Sequence, residues 1–187
     1  MTRLTERFDE ALQLAAQLHR DQKRKGTQIP YVSHLLGVAS ITLELGGDED
    51  QAIAALLHDA VEDQGGQETA ELIRERFGDR VAGIVLACSD SETEPKPPWK
   101  DRKLAYLEAM ETKPEDALLV TLADKTHNAR CIVQDLNEHG PQVWDRFNAS
   151  EDGTKWYYAS LADKFDRLLG GAGAGRFRAI VEDMQAF

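Results

Sequence analysis

The stretch AIAALLHDAVED, Ala52 to Asp63, decides how this chain is read. Its first six residues are all apolar, with no proline, no glycine and none of the period-two alternation of a half-buried strand. Ala and Leu dominate, and these residues lose little on entering a helix. A helix over 48–61 that is apolar on every side belongs in a core. Yet it carries His58 and Asp59 side by side, and polar groups in such surroundings are costly unless satisfied. For an isolated pair, a hydrogen-bonded core histidine and a carboxylate capping a neighbouring helix would suffice. The continuation changes this. Glu62 lies four residues after His58 and Asp63 four after Asp59, so one strip of helix presents an imidazole and three carboxylates. Acids this close repel one another, and a bound divalent cation would remove the conflict.

Helical periodicity continues on both sides. Phe8, Leu12, Ala15 and His19 form one apolar stripe, on a helix expected to end near Lys25 and Gly26. A loop over 26–30 leads to a second helix, 35–45, with Ser33 as its N-cap and Gly46-Gly47 as its stop. Past the central segment, a helix over 67–77 ends at Gly78, and Asp79 caps another that runs to about Cys88. Residues 89–99 (SDSETEPKPPW) hold three of the six prolines and read as a loop containing Trp99. Helices resume at 100–111, at 114–134, around Trp144 and at 153–169. GGAGAG, 170–175, reads as a flexible joint before a final helix over 176–187. No segment alternates like a strand and no repeat is visible. The fold class is therefore all-α, one helical bundle over 1–187 with its core at about 5–170.

The chain has 187 residues, a size that fits one domain with a substantial core. A net charge of −11 argues against a general nucleic-acid binder, which needs a basic footprint. No run approaches the ~18 apolar residues of a membrane span, and the charged start MTRLTERFDEAL is unlike an export signal. The expectation is a cytoplasmic protein. Cys88 and Cys131 lack metal-ligand spacing and read as small buried hydrophobes. Arg20, Lys23, Arg24 and Lys25 crowd together, either as a solvated helix end that suits the macrodipole or as a local anion site. Composition favours the first.

Partners for a metal lie elsewhere in the chain. His34 follows the 26–30 loop, and Asp124 sits in the apolar helical stretch VTLADKTHNAR. Two imidazoles and two carboxylates, completed by waters, suit Mn²⁺ or Fe²⁺ and admit other divalent ions. Such an ion polarises phosphoryl oxygens and acidifies water. Glu62 and Asp63, just outside that coordination, could take a proton from an attacking water. Lys23, Arg24 and Lys25 could meet an anionic substrate. In KWYYASL, Lys155, Tyr157 and Tyr158 are further candidates for substrate contact, although aromatic residues at helical spacing more often pack a core.

An isolated histidine, then His-Asp, then a distant Asp, all on helices, resembles the HD superfamily of metal-dependent phosphohydrolases. More narrowly, RKGTQIPYVSHLLGVA (24–39), AALLHDAVED (54–63), FGDRVAGIV (77–85) and LADKTHNAR (122–130) look like the hydrolase domain of Rel/SpoT proteins and the free-standing small alarmone hydrolases. The likeness covers about residues 5–170. It implies an HD-type bundle and a metal, usually Mn²⁺, held by His34, His58, Asp59 and Asp124. It also implies that Glu62 and Asp63 handle the nucleophilic water, that Arg24 and Lys25 lie beside the substrate, and that Asn128 lines the pocket. The reaction implied is hydrolysis of the 3′-pyrophosphate of (p)ppGpp to GDP or GTP and pyrophosphate, with no synthetase activity. The chain departs from the family's usual pattern at Gln64, often Thr, and at Thr126-His127, often apolar or aromatic. These positions leave adenosine alarmones, another nucleotide or NADPH open as substrates. A nucleotide-binding HD module without catalysis is the alternative from a different class; retention of both Glu62 and Asp63 argues against it.

Overall fold

A computed structural model describes residues 2–89 and 97–187. They form α1 (Glu6–Leu18), α2 (Val32–Glu44), α3 (Glu49–Leu57), α4 (Ala60–Asp63), α5 (Gly66–Phe77), α6 (Asp79–Cys88), α7 (Trp99–Ala109), α8 (Glu115–His139), α9 (Glu151–Leu168) and α10 (Gly171–Gln185). Two short 3₁₀ turns, Met110–Thr112 and Pro141–Arg146, join them. Among the described residues there is no strand, only an isolated antiparallel bridge between Lys23 and Pro30. The all-α expectation holds. No helix among these residues is long and apolar enough to cross a membrane. The chain divides into two compact units: Met1–Asp90 with Pro114–Asp124, and Ser91–Lys113 with Lys125–Phe187.

In the first unit α3 is the central rod. Ala52 to Leu57 are each 0% exposed, so this helix is apolar all round because it is covered all round. α1, α2 and α6 pack on it. Its start is fixed by a capping box: the Asp48 carboxylate accepts from the Gln51 backbone N–H (3.0 Å), and the Gln51 side chain accepts from the Asp48 N–H (2.9 Å). Arg80 of α6 reaches Asp48 (2.8 Å), Asp50 (3.2 Å) and Asp116 (2.9 Å), tying α6 and the first turn of α8 to that end. The second unit has its own core. Phe165 of α9 meets Phe177 of α10 edge to face at 5.3 Å, with Leu161 and Met184 fully buried beside them.

Several boundaries differ from the sequence reading, and the differences matter for the site. The helix expected over 48–61 is not continuous: α3 ends at Leu57, His58 and Asp59 form a turn, and α4 is a single turn of four residues. The His58 ring Nδ1–H donates to the Ala55 carbonyl (2.8 Å), the group that would accept the Asp59 N–H in an unbroken helix. Asp59, at φ −98° and ψ −2°, turns the chain there. The four-residue stacking expected on one strip of helix is thereby replaced by a bend.

α1 ends at Leu18, well short of Gly26. Residues 19–31 form an arm closed on itself: the Arg24 N–H donates to the Ile29 carbonyl (2.9 Å), the Tyr31 N–H to Gln22 (2.9 Å), and Gly26 takes φ 73° at the tip. Lys23, Arg24 and Lys25 therefore lie on a loop and not on a helix end. α2 begins at Val32 without a side-chain cap, so Ser33 is inside it; the Ser33 N–H donates to Pro30 (3.1 Å). Gly78, at φ 91°, is the N-cap of α6, and Asp79 is its first residue. Trp99 starts α7 instead of ending a loop; the remainder of that expected loop, 90–96, lies outside the described residues. The Gly-rich joint shrinks to Gly170 and Gly171, at φ 61° and 70°, because Ala172 and Ala174 are strong helix formers and α10 already runs from Gly171.

Packing around α3 yields a stability prediction. Leu57→Ala should lower unfolding stability by about 2–5 kcal/mol, read from the denaturant midpoint. The same change at Leu36, 46% exposed, should stay within about 0.5 kcal/mol.

Candidate metal centre

Four side chains of the first unit converge. His34 projects from the first turn of α2 and is 1% exposed; His58 closes α3 and is 3% exposed. Asp59 follows at the bend, and Asp124 comes from α8, itself buried. His58 Nε2 lies 3.0 Å from Asp59 Oδ2 and 3.7 Å from Asp124 Oδ1; His34 Nε2 lies 3.6 Å and 3.3 Å from the same two oxygens. The imidazole rings meet edge to face at 5.2 Å. His34, His58 and Asp59 alone already form a group that could hold a metal ion.

The donor set fits a cation on two grounds. Ligand atoms ~2.1 Å from an ion sit about 3.0 Å apart at right angles and about 3.4 Å apart at tetrahedral angles; two of the four contacts, 3.0 and 3.3 Å, fall in that range and the other two, 3.6 and 3.7 Å, lie just beyond it. Second, His58 Nε2 is buried and makes no hydrogen bond of acceptable angle, although Asp59 Oδ2 is close. Because Nδ1 donates to a carbonyl, the neutral ring presents a lone pair at Nε2 towards a carboxylate oxygen. Two lone pairs face each other unless a proton or a metal ion lies between them.

Electrostatics express the same conflict. Burial alone would push the His58 imidazole down, but Asp59 and then Asp124 outweigh it and hold His58 well above the ordinary histidine range. Burial would raise Asp59, yet the facing imidazoles, His58 foremost, hold it well below the carboxylate range. Tyr31, absent from the sequence-derived site, completes the arrangement: its hydroxyl donates to Asp59 Oδ2 at 2.5 Å. Burial, followed by the Asp59 charge, pushes that hydroxyl far above the usual tyrosine value, so it stays a donor. The signal available in sequence was its place three residues before His34, on the same face of a first helical turn.

The other predicted residues distribute as follows. Glu62 and Asp63 are exposed on α4, one turn beyond Asp59. Asp63 Oδ2 accepts from the Gln22 side chain at 2.7 Å, a partner that no sequence signal marked. Arg24 places its guanidinium 5.8 Å from the Tyr31 ring, and Lys25 follows it, exposed, towards the tip of the arm. His19 is buried and stacks on Tyr31 at 5.3 Å. Asn128, Lys155 and Tyr157 belong to the second unit. There Tyr157 is buried and packs against Trp99 (6.1 Å) and Tyr158 (5.8 Å); Lys155 pairs with Glu151 (2.7 Å). His127 approaches Cys131 Sγ at 3.7 Å on α8.

Comparisons with known proteins bear on this geometry. Residues 11–155 match the family model of the HD domain. Guanosine-3′,5′-bis(diphosphate) 3′-pyrophosphohydrolase MESH1 of Xenopus tropicalis is 40% identical over 145 residues, 76% of this chain and 76% of that protein. The protein of the same name from Drosophila melanogaster is 37% identical over 142 residues, 74% of each. A solved structure described as a metazoan ortholog of SpoT that hydrolyzes ppGpp superposes with a TM-score of 0.80 at 29% identity, covering both chains fully. A structure from Listeria monocytogenes gives 0.69 at 30% identity, over 80% of this chain and 96% of that one.

The facing charges predict how the metal-free protein titrates. His58 should titrate above the ordinary histidine range, and ¹⁵N shifts of its ring nitrogens followed with pH check this. A raised His58 value gives stability that is present below the ordinary histidine range and fades as pH rises through the raised value. A depressed Asp59 value gives stability that is present above the ordinary carboxylate range and fades as pH falls through the lowered one. The metal-free protein should therefore be most stable between the two.

Proposed function

This chain belongs to the HD domain family, and from that premise we propose that it is a divalent-metal-dependent hydrolase that removes the 3′-pyrophosphate of (p)ppGpp, yielding GDP or GTP and pyrophosphate. The observation that carries the reading is the convergence of two imidazoles and two carboxylates one turn before the Glu62-Asp63 pair. The names of the relatives, pyrophosphohydrolases at 37–40% identity over most of the chain, support it.

In this reading His34, His58, Asp59 and Asp124 hold the ion, with Mn²⁺ favoured by a mixed imidazole and carboxylate set that leaves room for waters. When bound, the ion supplies positive charge to the phosphoryl oxygens and makes a water easier to deprotonate. The chain's own groups do the rest. Tyr31 donates to Asp59 and fixes the direction its carboxylate presents. Glu62 and Asp63, exposed and anionic beside the centre, take the proton of the attacking water. That water forms a bond to the phosphorus attached to the 3′ oxygen; the P–O3′ bond breaks, and the 3′ oxygen leaves with a proton. Arg24 and Lys25 on the arm offset the phosphate charge, Arg24 held beside Tyr31. Asn128, Lys155 and Tyr157 are the nucleoside-side candidates. Cys88 and Cys131, neither of them in a disulfide, accord with a reducing cytoplasm as the place of reaction.

Purified Mn²⁺-loaded protein given ppGpp should release pyrophosphate and GDP in equal amounts. Release of orthophosphate, or preference for NADPH in a substrate panel, would move the assignment to another phosphatase. Tight ppGpp binding without turnover would make the chain a binding module. Asp59→Ala should lose bound metal and activity together, by trace-metal analysis and pyrophosphate assay. Glu62→Gln should keep its metal and lose about 10²–10⁴-fold in kcat; full activity in that variant would refute the water-activation role.

A further inference from the structure

We propose that Gln22 is a positioning residue for this reaction: its side-chain amide donates to the acceptor-only Asp63 carboxylate and holds it in one orientation, while Gln64 and His19 close the network on the amide's other end. The inference rests on the reading that Asp63 handles the attacking water.

Three hydrogen bonds meet on the one amide. Gln22 Nε2 donates to Asp63 Oδ2 at 2.7 Å. Gln64 Nε2 donates to Gln22 Oε1 at 2.6 Å, and His19 Nδ1 lies 2.7 Å from the same oxygen. An amide oxygen only accepts, so His19 must carry its proton on Nδ1 and donate it. Two donors thus converge on Oε1, and the NH₂ end is left to face an acceptor-only carboxylate. Turning the amide over would set an oxygen against the Asp63 charge and an NH₂ against two other donors, breaking all three bonds. The polarity of Gln22 is therefore set by the Asp63 carboxylate, which can only accept, and Gln64 and His19 supply the matching donors at Oε1.

Those neighbours are themselves fixed. His19 is 2% exposed and stacked on Tyr31, with the ring planes 19° apart. Its Nε2 is buried without a hydrogen bond, so Nδ1 is the ring's one polar contact. Gln64 caps α4: its N–H donates to Ala60 (3.0 Å) and its carbonyl accepts the Thr69 hydroxyl (2.6 Å). Threonine, the residue often found at position 64 in the resembled family, has no amide with which to reach Gln22.

The arm therefore grips both ends of one short turn. Tyr31 holds Asp59 where α4 begins, and Gln22 holds Asp63 where it finishes. A four-residue helix has almost no stability of its own, and an exposed aspartate without such a tether samples several rotamers. The Gln22 side chain bonds Asp63, Gln64 and His19 and none of the four proposed ligands, so its effect should fall on turnover and not on metal or substrate binding.

The test uses the Mn²⁺-loaded full chain with ppGpp. Gln22→Leu should lower kcat about 10–100-fold, the usual range for a residue that orients a functional group, with KM within about twofold and with metal content and melting temperature at parental values. Gln22→Glu, nearly isosteric but carrying an acceptor where the donor was, should be impaired at least as much. Parental kcat in either variant overturns the proposal. Asp63→Asn separates this from the underlying reading: parental turnover in Asp63→Asn overturns the role of Asp63 and this inference with it. Loss in Asp63→Asn with parental turnover in Gln22→Leu overturns the inference alone. The double variant should match Asp63→Asn, because effects through one shared group do not add; a further multiplicative loss refutes the route through Asp63.

Discussion

Everything in the first unit is arranged around one electrostatic conflict: two imidazole nitrogens and two carboxylate oxygens held 3.0–3.7 Å apart where little water reaches. Such a cluster needs a proton or a metal ion between its nitrogens and oxygens, because bare lone pairs would otherwise face one another with little screening. It persists because the polypeptide around it is rigid. α3 is sealed on all sides, His58 is clamped to the Ala55 carbonyl, and Asp59 is clamped to Tyr31. A protein that keeps such a strained constellation usually keeps it for a ligand that relieves it.

The bend after Leu57 follows from the same demand. An unbroken helix would carry His58, Asp59, Glu62 and Asp63 round a regular spiral, with only the four-apart pairs aligned. Breaking it at Asp59 lets His58 and Asp59 turn inward together while α4 presents Glu62 and Asp63 outward. Two of the four convergent groups and the two proposed water-handling groups thus come from six consecutive residues, with His58 buried, Asp59 half-buried, and Glu62 and Asp63 exposed. Carboxylates in such different settings can differ in basicity, as a division between binding an ion and accepting a proton requires.

Much of this was legible in the sequence, for reasons that can be stated residue by residue. The helical class followed from apolar spacing, and the convergent polar cluster from polar residues inside apolar runs: His58 and Asp59 after AIAALL, Asp124 after VTLA. Those anomalies are strong because burying a polar group without a purpose is costly. What escaped was whatever depends on chain direction rather than composition. The end of α1 at Leu18 was hidden because the basic residues beyond it have good helix propensity; the arm's own backbone pairing overrides that preference. Gln22 and Tyr31 were invisible as site residues because a glutamine on a loop and a tyrosine beside a proline are unremarkable until the loop folds back. The joint at 170–175 was overestimated because glycines were counted together while the alanines between them were helix formers.

The arm over 19–31 has a consequence for how such a protein can diverge. Surface loops are where insertions and deletions ordinarily accumulate, since lengthening them disturbs little else. This loop is an exception. Gln22 near its beginning and Tyr31 at its close contact opposite ends of one helical turn, and the Lys23–Pro30 bridge fixes the residues between them. One added residue would shift the register of that bridge and pull Gln22 or Tyr31 off its carboxylate. Descendants of this chain should therefore keep the arm's length constant and a glycine at its left-handed tip, making a gap-free stretch of alignment a signature of the site as telling as the convergent side chains themselves.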